Sequence, residues 1–518
     1  MKIRAASCPS CGGGVEFRVS TSLVTVCPYC DCVVARGDKS VEDHGKVADL
    51  IDTNSPIVLG VGGHWHRQRF DVIGRVQYKH PAGGVWDEWY LAFGNDSWAW
   101  LAEAQGKRYI TFEKKLKSGV KVPDHESLKP GDTITLGSRG EFTVGEVGVA
   151  RTGSAQGEIP WSFVPKKDHK FVDLYTEGKG FATIDYNGET PRLFLGQEVT
   201  LEELDIRTGG WGGSFEEPTH HVTALSLNCP SCGGALELQA PDKTERIGCP
   251  HCGALLDCQQ GKLSYFQTLN AKRVRPQIPL GTVGKIRGIE YMMIGFMERF
   301  AMYEGTTFPW TEYLLYDHKS GEFRWLVNNK DHWSFVEPVS PNDIKDRSQT
   351  LVYKGDTFKL YDRGTAYVRY VVGEFYWKVM AGDAVETFDY IAPPRMISLE
   401  RSGSDEHQEL NISLGTYMTV AEVEQAFQQH NLTWSLGVGP IQPAPNTRGV
   451  FQLWLIFMIA ILGEWFVLGN VFSKNGDFGF LLLMLGLVSA LPILTILYLW
   501  NFDVQRWSQS DYSPYSSE

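Results

Sequence analysis

Cys8-Pro9-Ser10-Cys11-Gly12-Gly13 with Cys27-Pro28-Tyr29-Cys30, echoed by Cys229-Pro230-Ser231-Cys232-Gly233-Gly234 with Cys249-Pro250-His251-Cys252, decides how this chain is organised. Two residues between thiols let a tight turn aim both sulfurs at one ion, and two such turns supply the closed tetrahedron of a structural Zn2+ site. Proline after the first cysteine presets the turn, and glycine after the second accepts a left-handed backbone. Asp31 takes that glycine's place in the second turn of the first quartet and tolerates it better than most residues. Four cysteines leave no open ligand position, so both zinc sites are expected to be structural. Such short ribbons have little core, and the metal should supply most of their folding energy.

Each quartet opens a longer unit, and the unit occurs twice. Leu59-Gly60-Val61 lies over Leu280-Gly281-Thr282, and Val72-Ile73-Gly74 over Met293-Ile294-Gly295. Trp86-Asp87-Glu88-Trp89-Tyr90-Leu91 lies over Trp310-Thr311-Glu312-Tyr313-Leu314-Leu315, and Trp98-Ala99-Trp100-Leu101 over Phe323-Arg324-Trp325-Leu326. Gly131-Asp132-Thr133 aligns with Gly355-Asp356-Thr357, and Val144-Gly145-Glu146 with Val372-Gly373-Glu374. Short runs of β-branched and aromatic residues, cut by Gly, Asp and Pro, predict strands in a small barrel-like or bent-sheet domain. Thr200 and Thr419 each read as the N-cap of a short closing helix. The fold class is therefore mainly β. The expected order is ribbon 1 at 1–36, β-domain copy 1 at 56–220, ribbon 2 at 225–262 and β-domain copy 2 at 275–432. A linker at 433–449, an apolar hairpin at 450–500 and a tail at 501–518 follow.

The duplication acts as an internal control, because a residue needed by shared chemistry should recur. Cys32 and Cys258 do not recur and read as spare thiols. His64 and His66 resemble a metal-binding strand edge, but copy two has Lys285 and Arg287 there. Glu88 and Glu312 do recur, mid-strand among aromatics. With Trp310 and Trp325 they are the candidate recognition residues. The structural alternative is a strand glutamate that pairs with a neighbouring arginine or faces solvent, since period-two alternation lets Glu point out while Trp and Leu point in. Gly131-Asp132 and Gly355-Asp356 read as turn residues, and His220-His221 as loop.

The formal net charge of −12 argues against a nucleic-acid surface. Lys2, Arg4, Arg18 and Arg36 stand against Glu16 and Asp31 in ribbon 1, and Lys243, Arg246 and Lys262 against four acids in ribbon 2, so neither is a basic patch. The N-terminus lacks an apolar stretch of the signal-peptide kind, and cysteines in metal-type pairs imply a reducing compartment. No Ser/His/Asp order, P-loop, GxGxxG or HExxH supports an enzyme; no catalytic residue is assigned.

Val450–Phe472 and Phe478–Trp500 are two apolar stretches of 23 residues separated by Ser473–Asp477. Each is long enough to span a bilayer, so they predict a transmembrane hairpin. The expected place is a bacterial inner membrane, with the soluble domains and both termini in the cytoplasm. Glu464 lies inside the first span, where a carboxylate calls for a partner or a water path, and it is the candidate membrane contact. Gly479, Gly486, Ser489 and Ala490 offer a small-residue surface for helix packing or a homo-oligomer. Gly437–Asn446 reads as a semi-flexible spacer and Ser508–Glu518 as disordered.

The run Trp310, Glu312-Tyr313-Leu314-Leu315-Tyr316, followed by Gly321-Glu322-Phe323-Arg324-Trp325-Leu326 and His332-Trp333, resembles the bacterial family catalogued as domain of unknown function 4178. The resemblance covers most of residues 1–430. It is weaker in copy one, where Ala92, Arg108 and Tyr109 replace Tyr316, His332 and Trp333. It implies zinc ribbons ahead of the domain, tandem copies, and genomic company with a polyamine-type aminopropyltransferase, small membrane proteins and membrane-stress proteins. It carries no activity. The expected function is a membrane-anchored interaction scaffold with a protein partner. The alternatives are a polyamine-like sensor or modifying enzyme with a pocket near Glu312, and a nucleic-acid-binding ribbon protein.

Overall fold

The computed structural model describes residues 4–17, 24–27, 29–30, 32–36, 41–46, 50, 53, 55–80, 85–94, 97–104, 107–116, 122–161, 167–176, 178–206, 226–238, 244, 246–259, 262–268, 274–346, 349–404, 407–471 and 478–515. Through these residues each copy closes into an eight-stranded antiparallel barrel. In copy one the strands are Gln68–Lys79, Val85–Phe93, Trp98–Ala104, Lys107–Lys114, Glu141–Ile159, Asp168–Tyr175, Gly180–Asp185 and Arg192–Glu198. In copy two they are Ile289–Tyr303, Thr306–Tyr316, Phe323–Asn329, His332–Pro338, Asp356–Phe375, Ala384–Ala392, Arg395–Ser404 and His407–Met418. Both barrels have the order 1-2-3-4-8-7-6-5 and close strand 5 back onto strand 1. Closure removes the exposed sheet edges that tandem open sheets would leave.

The crossing of strands 1 and 5 explains two glycine pairs. Strand 1 bulges between Val72 and Gly74 in one copy and between Met293 and Gly295 in the other. A Cβ on Gly74 would lie 1.8 Å from the Glu158 carbonyl oxygen, and one on Gly295 would lie 2.4 Å from that of Glu374. Their partners Gly157 and Gly373 have φ of +72° and +88°. Gly157-Glu158 is thus the counterpart of Gly373-Glu374. This corrects the sequence alignment of Gly145-Glu146 with that pair. Gly131-Asp132 sit in the turn before the short strand that hairpins onto strand 5, whereas Gly355 sits in the hairpin turn after it and Asp356 is already the first residue of strand 5. The ladder of strands 3 and 4 also shifts one match, placing Lys107 and Arg108 at the positions of His332 and Trp333.

Each ribbon extends its barrel. Thr25 and Val24 pair with Glu158 and Ile159 at the end of strand 5, and Arg246 to Gly248 pair with Phe375 to Gly373. Val26 and Leu255 bury their side chains in the respective barrel cores. The closing element differs between copies. In copy two it is helix α1 (Val420–Phe427), started by a capping box of Thr419 and Glu422. In copy one Thr200 and Glu203 make the same reciprocal bonds, yet the chain leaves after one turn. There Asp205, at φ +44°, turns left-handed and the Ile206 N–H closes back on the Leu201 carbonyl. The helix predicted at Thr200 is therefore a single capped turn.

Helices α2 (Arg448–Val471) and α3 (Phe478–Trp507) are long and apolar enough to cross a membrane, and almost none of either is buried against the rest of the protein. At ~1.5 Å per residue α3 is about 45 Å long against a bilayer core of ~30 Å. Its last turns reach barrel two: Trp507 packs with Tyr361, Ile391 and Ile441, and the Tyr361 hydroxyl donates to the Arg506 carbonyl at 2.9 Å. The Arg506 guanidinium donates to the Gln442 carbonyl at 2.7 Å. The spacer and the start of the tail are thus docked rather than free. Ser510 donates to the Tyr361 carbonyl, and the Tyr515 hydroxyl to Asp503 at 2.6 Å. Burial of Ile441 and Trp507 against Tyr361 is the physical reason, and composition alone does not reveal it. The predicted inter-helix loop Ser473–Asp477, His220-His221 and residues 516–518 lie outside the described residues.

Candidate metal centres and the barrel interiors

The first turn of each quartet and the second turn of the second quartet have the same backbone. The Cys8 N–H donates to the Gly13 carbonyl and the Gly12 N–H to the Cys8 carbonyl, with Gly12 at φ +75°. Cys229 with Gly233 and Cys249 with Gly253 repeat the pattern, so the left-handed glycine is required where expected. Asp31 lies outside the described residues. The turns bring Cys8 Sγ to 3.7 Å from Cys30 Sγ and Cys11 Sγ to 3.6 Å from Cys27 Sγ. In the second ribbon Cys229 and Cys252 are 3.8 Å apart, and Cys232 and Cys249 3.9 Å. None of the eight is in a disulfide, and each quartet could hold one metal ion. Tyr29 and His251 lie against Gly13 and Gly234, where a Cβ would come within 2.4 and 2.5 Å of their rings. The His251 Nε2 lies 3.0 Å from the Ala235 carbonyl, which occupies it outside the sulfur cluster. Cys32 and Cys258 fall on strands beyond the quartets, Cys32–Arg36 and Ala254–Gln259.

The recurring glutamates face the barrel lumens. Tyr90 and Ala92, on Glu88's side of strand 2, pack with Val76, Tyr78, Trp100, Ala150, Phe171 and Phe194 from five other strands, and only the lumen gathers these together. On the opposite side Asp87, Trp89 and Leu91 are buried too, with Arg75 donating to Asp87 at 2.8 Å. Strand 2 is thus covered on both faces, and neither Glu88 nor Glu312 points out to solvent. In each copy the tryptophan two residues earlier donates its indole N–H to the glutamate, Trp310 to Glu312 at 2.7 Å and Trp86 to Glu88 at 3.4 Å.

What else meets the two acids differs. Arg299 donates to Glu312 at 3.2 Å and to Glu400 at 2.8 Å, all within barrel two. Burial pushes the Glu312 carboxyl up, opposed by the Arg299 charge and reinforced by Glu400. Strand register places Tyr78 where Arg299 stands. Its hydroxyl is buried and has no hydrogen-bond partner among the described residues. Burial raises the Glu88 carboxyl to about 7, with Asp185 adding to the rise and the Trp86 bond opposing it. Arg299 and Tyr78 were not singled out in the sequence, because a bulge sets which residues of strand 1 meet strand 2.

Trp325 belongs to a shared pair, its ring 5.6 Å from Trp377, and its counterpart Trp100 lies 4.8 Å from Trp161. His64 and His66 do not converge: His64 Nδ1 is 3.1 Å from the Asp205 carboxylate, while His66 sits in the hairpin turn at φ +45°. One surface cleft, beside α1, is lined by Lys285, Arg287, Phe335, Tyr417 and Glu422. A second is lined by Asp124, His125, Lys170 and Tyr186, and neither contains Glu88 or Glu312. Glu464 is exposed on α2, and Gly486 on α3 has open space where a Cβ would stand.

A comparison with curated proteins finds no match. The family described as Domain of unknown function (DUF4178) matches residues 59–201 and 279–420, stretches that run from ahead of the first barrel strand to the closing turn or helix. Together they make up more than half of the chain, which therefore belongs to the DUF4178 family and carries its domain twice in tandem.

Proposed function

We propose that the chain is a membrane-anchored, zinc-stabilised interaction scaffold on the cytoplasmic face of a bacterial inner membrane, presenting two barrels to a soluble protein partner. The observation that carries this reading is the seat of the hairpin's end on barrel two. Trp507, Arg506 and Ser510 lock α3 to Tyr361 and the linker, so an anchored hairpin would hold the barrel in one pose at the surface. Tethering raises the effective concentration of whatever the barrels bind. The wide exposure of apolar residues on α2 and α3 supports a lipid environment around them. Sulfur separations of 3.6 to 3.9 Å support zinc, since Zn–S arms of ~2.3 Å give a tetrahedral edge of about 3.8 Å. The zinc ions would fix each ribbon as an extra strand pair on its barrel.

The scaffold reading is favoured over a polyamine sensor at Glu312, because Arg299 already supplies the cation there. The test has two arms. The full chain should resist carbonate extraction from membranes, and a chain cut before Arg448 should not. Detergent-solubilised full chain should also carry one specific protein at a fixed ratio. Release by carbonate, or recovery of chaperones alone, would sink the proposal.

A further inference from the structure

Strand 5 of barrel one outruns strand 1, whose last paired residue is Lys79 opposite Arg151. The edge left free takes the last strand of barrel two: Glu146, Val147 and Gly148 pair antiparallel with Glu409, Gln408 and His407. His80 follows strand 1 at the same place. The Glu146 Oε1 atom lies 3.1 Å from His407 Nε2 and 3.3 Å from His80 Nε2. All three donor atoms are within 4.8 Å of one another, and the two imidazoles stand edge to face, 4.3 Å between centroids.

We propose that His80, Glu146 and His407 bind a divalent transition-metal ion that staples the two barrels together. Nitrogen and oxygen ligands at ~2.0–2.2 Å from a zinc-class ion stand about 3–3.6 Å apart, which matches the two measured separations. Two imidazoles and one carboxylate suit zinc and its neighbours rather than Mg2+ or Ca2+. The charge around the cluster points the same way. Glu146 stands in the ladder between Glu409 on one side and Asp173 on the other, three acids abreast on adjacent strands. Like charges placed directly opposite are destabilising, and a divalent cation beside Glu146 relieves the repulsion along the row. Glu146 has a counterpart in Asp362, which follows the same bulge in strand 5 and faces Asp389 as Glu146 faces Asp173, so the two histidines are what the site adds where the copies meet.

The test uses full-length chain purified in detergent and loaded with zinc alone. Metal analysis should show one zinc fewer per chain in the His80→Ala/His407→Ala double variant than in the wild type, and also one fewer in Glu146→Gln, which keeps the side chain's shape. Equal zinc in wild type and variants overturns the proposal. Should the variants not fold, X-ray absorption of the zinc-loaded wild type decides. The ribbons offer sulfur only, so imidazole nitrogen scattering supports the staple, and an all-sulfur shell overturns it.

Discussion

The two barrels share strand order, the bulge in strand 1, the glycine crossing and the Trp-x-Glu pair, yet they treat the same buried acid in opposite ways. In barrel two the strand 1 neighbour is Arg299, and Glu312 sits in an ion pair extended by Glu400. In barrel one that neighbour is Tyr78, and Glu88 is held near neutrality by burial, with one long indole bond. The fold therefore needs an acid-sized polar side chain beside the indole but does not dictate its charge. Duplication has left one copy with a fixed ion pair and the other with a group that titrates close to physiological pH.

The largest test of this contrast is Arg299→Ala. Removing one partner of a buried pair costs about 3–5 kcal/mol, because the remaining charge is left uncompensated. Hydrogen exchange followed by mass spectrometry should show strands Ile289–Tyr303 and Thr306–Tyr316 losing protection while barrel one keeps its own. Arg299→Met with Glu312→Gln should recover most of the loss. Unchanged protection in the single variant would mean that the lumen solvates Glu312, and the two barrels would then be alike.

The parts legible in the sequence were those set by local spacing. Cys-x-x-Cys turns, a repeated strand vocabulary, the N-cap at Thr419 and two long apolar runs each state their structure within a few residues. The partners of Glu88 and Glu312 were not legible, because strand 2 meets strand 1 across a hairpin whose register is shifted by the Ile73 or Ile294 bulge. Alternation also misleads in a strand buried on both faces, where Asp87 and Glu88 are neutralised on opposite sides. Glu409 and His407 reach Glu146 and His80 only when the copies dock, and asking which residues recur passes over both histidines. The same holds for Tyr361, Ile441 and Trp507, distant in sequence and joined by burial.

A second effect, of about 3 kcal/mol, should appear as pH dependence. The Glu88 carboxyl titrates at about 7 in the folded chain and near 4.5 when unfolded. Between these values the folded state keeps a proton that the unfolded state has released. Stability conferred through Glu88 is therefore greatest below pH ~4.5, falls as pH rises to about 7, and is flat beyond. Glu88→Gln should remove this slope from the exchange protection of Val85–Phe93, so that the variant gains on the wild type as pH rises from 5 to 8. A gap between variant and wild type that stays constant over this range would show that Glu88 is already ionised below pH 5 in the folded chain.

The smallest expected effect is the most discriminating. Tyr78→Phe deletes a buried hydroxyl that has no partner among the described residues, and leaves the ring stacked on Trp86 at 5.2 Å and tilted against His169 at 4.9 Å. Loss of an unsatisfied polar group relieves its desolvation penalty, so the change should lie within about 1 kcal/mol of neutral and lean towards stabilising. A loss well beyond that in the protection of Gln68–Lys79 would mean that the hydroxyl does bond within the lumen, with the Glu88 carboxyl as the acid nearest to hand. Strand 1 would then supply the acid's partner in both barrels, by a neutral donor in one and a charged donor in the other. The contrast between the copies would become one of strength rather than of kind.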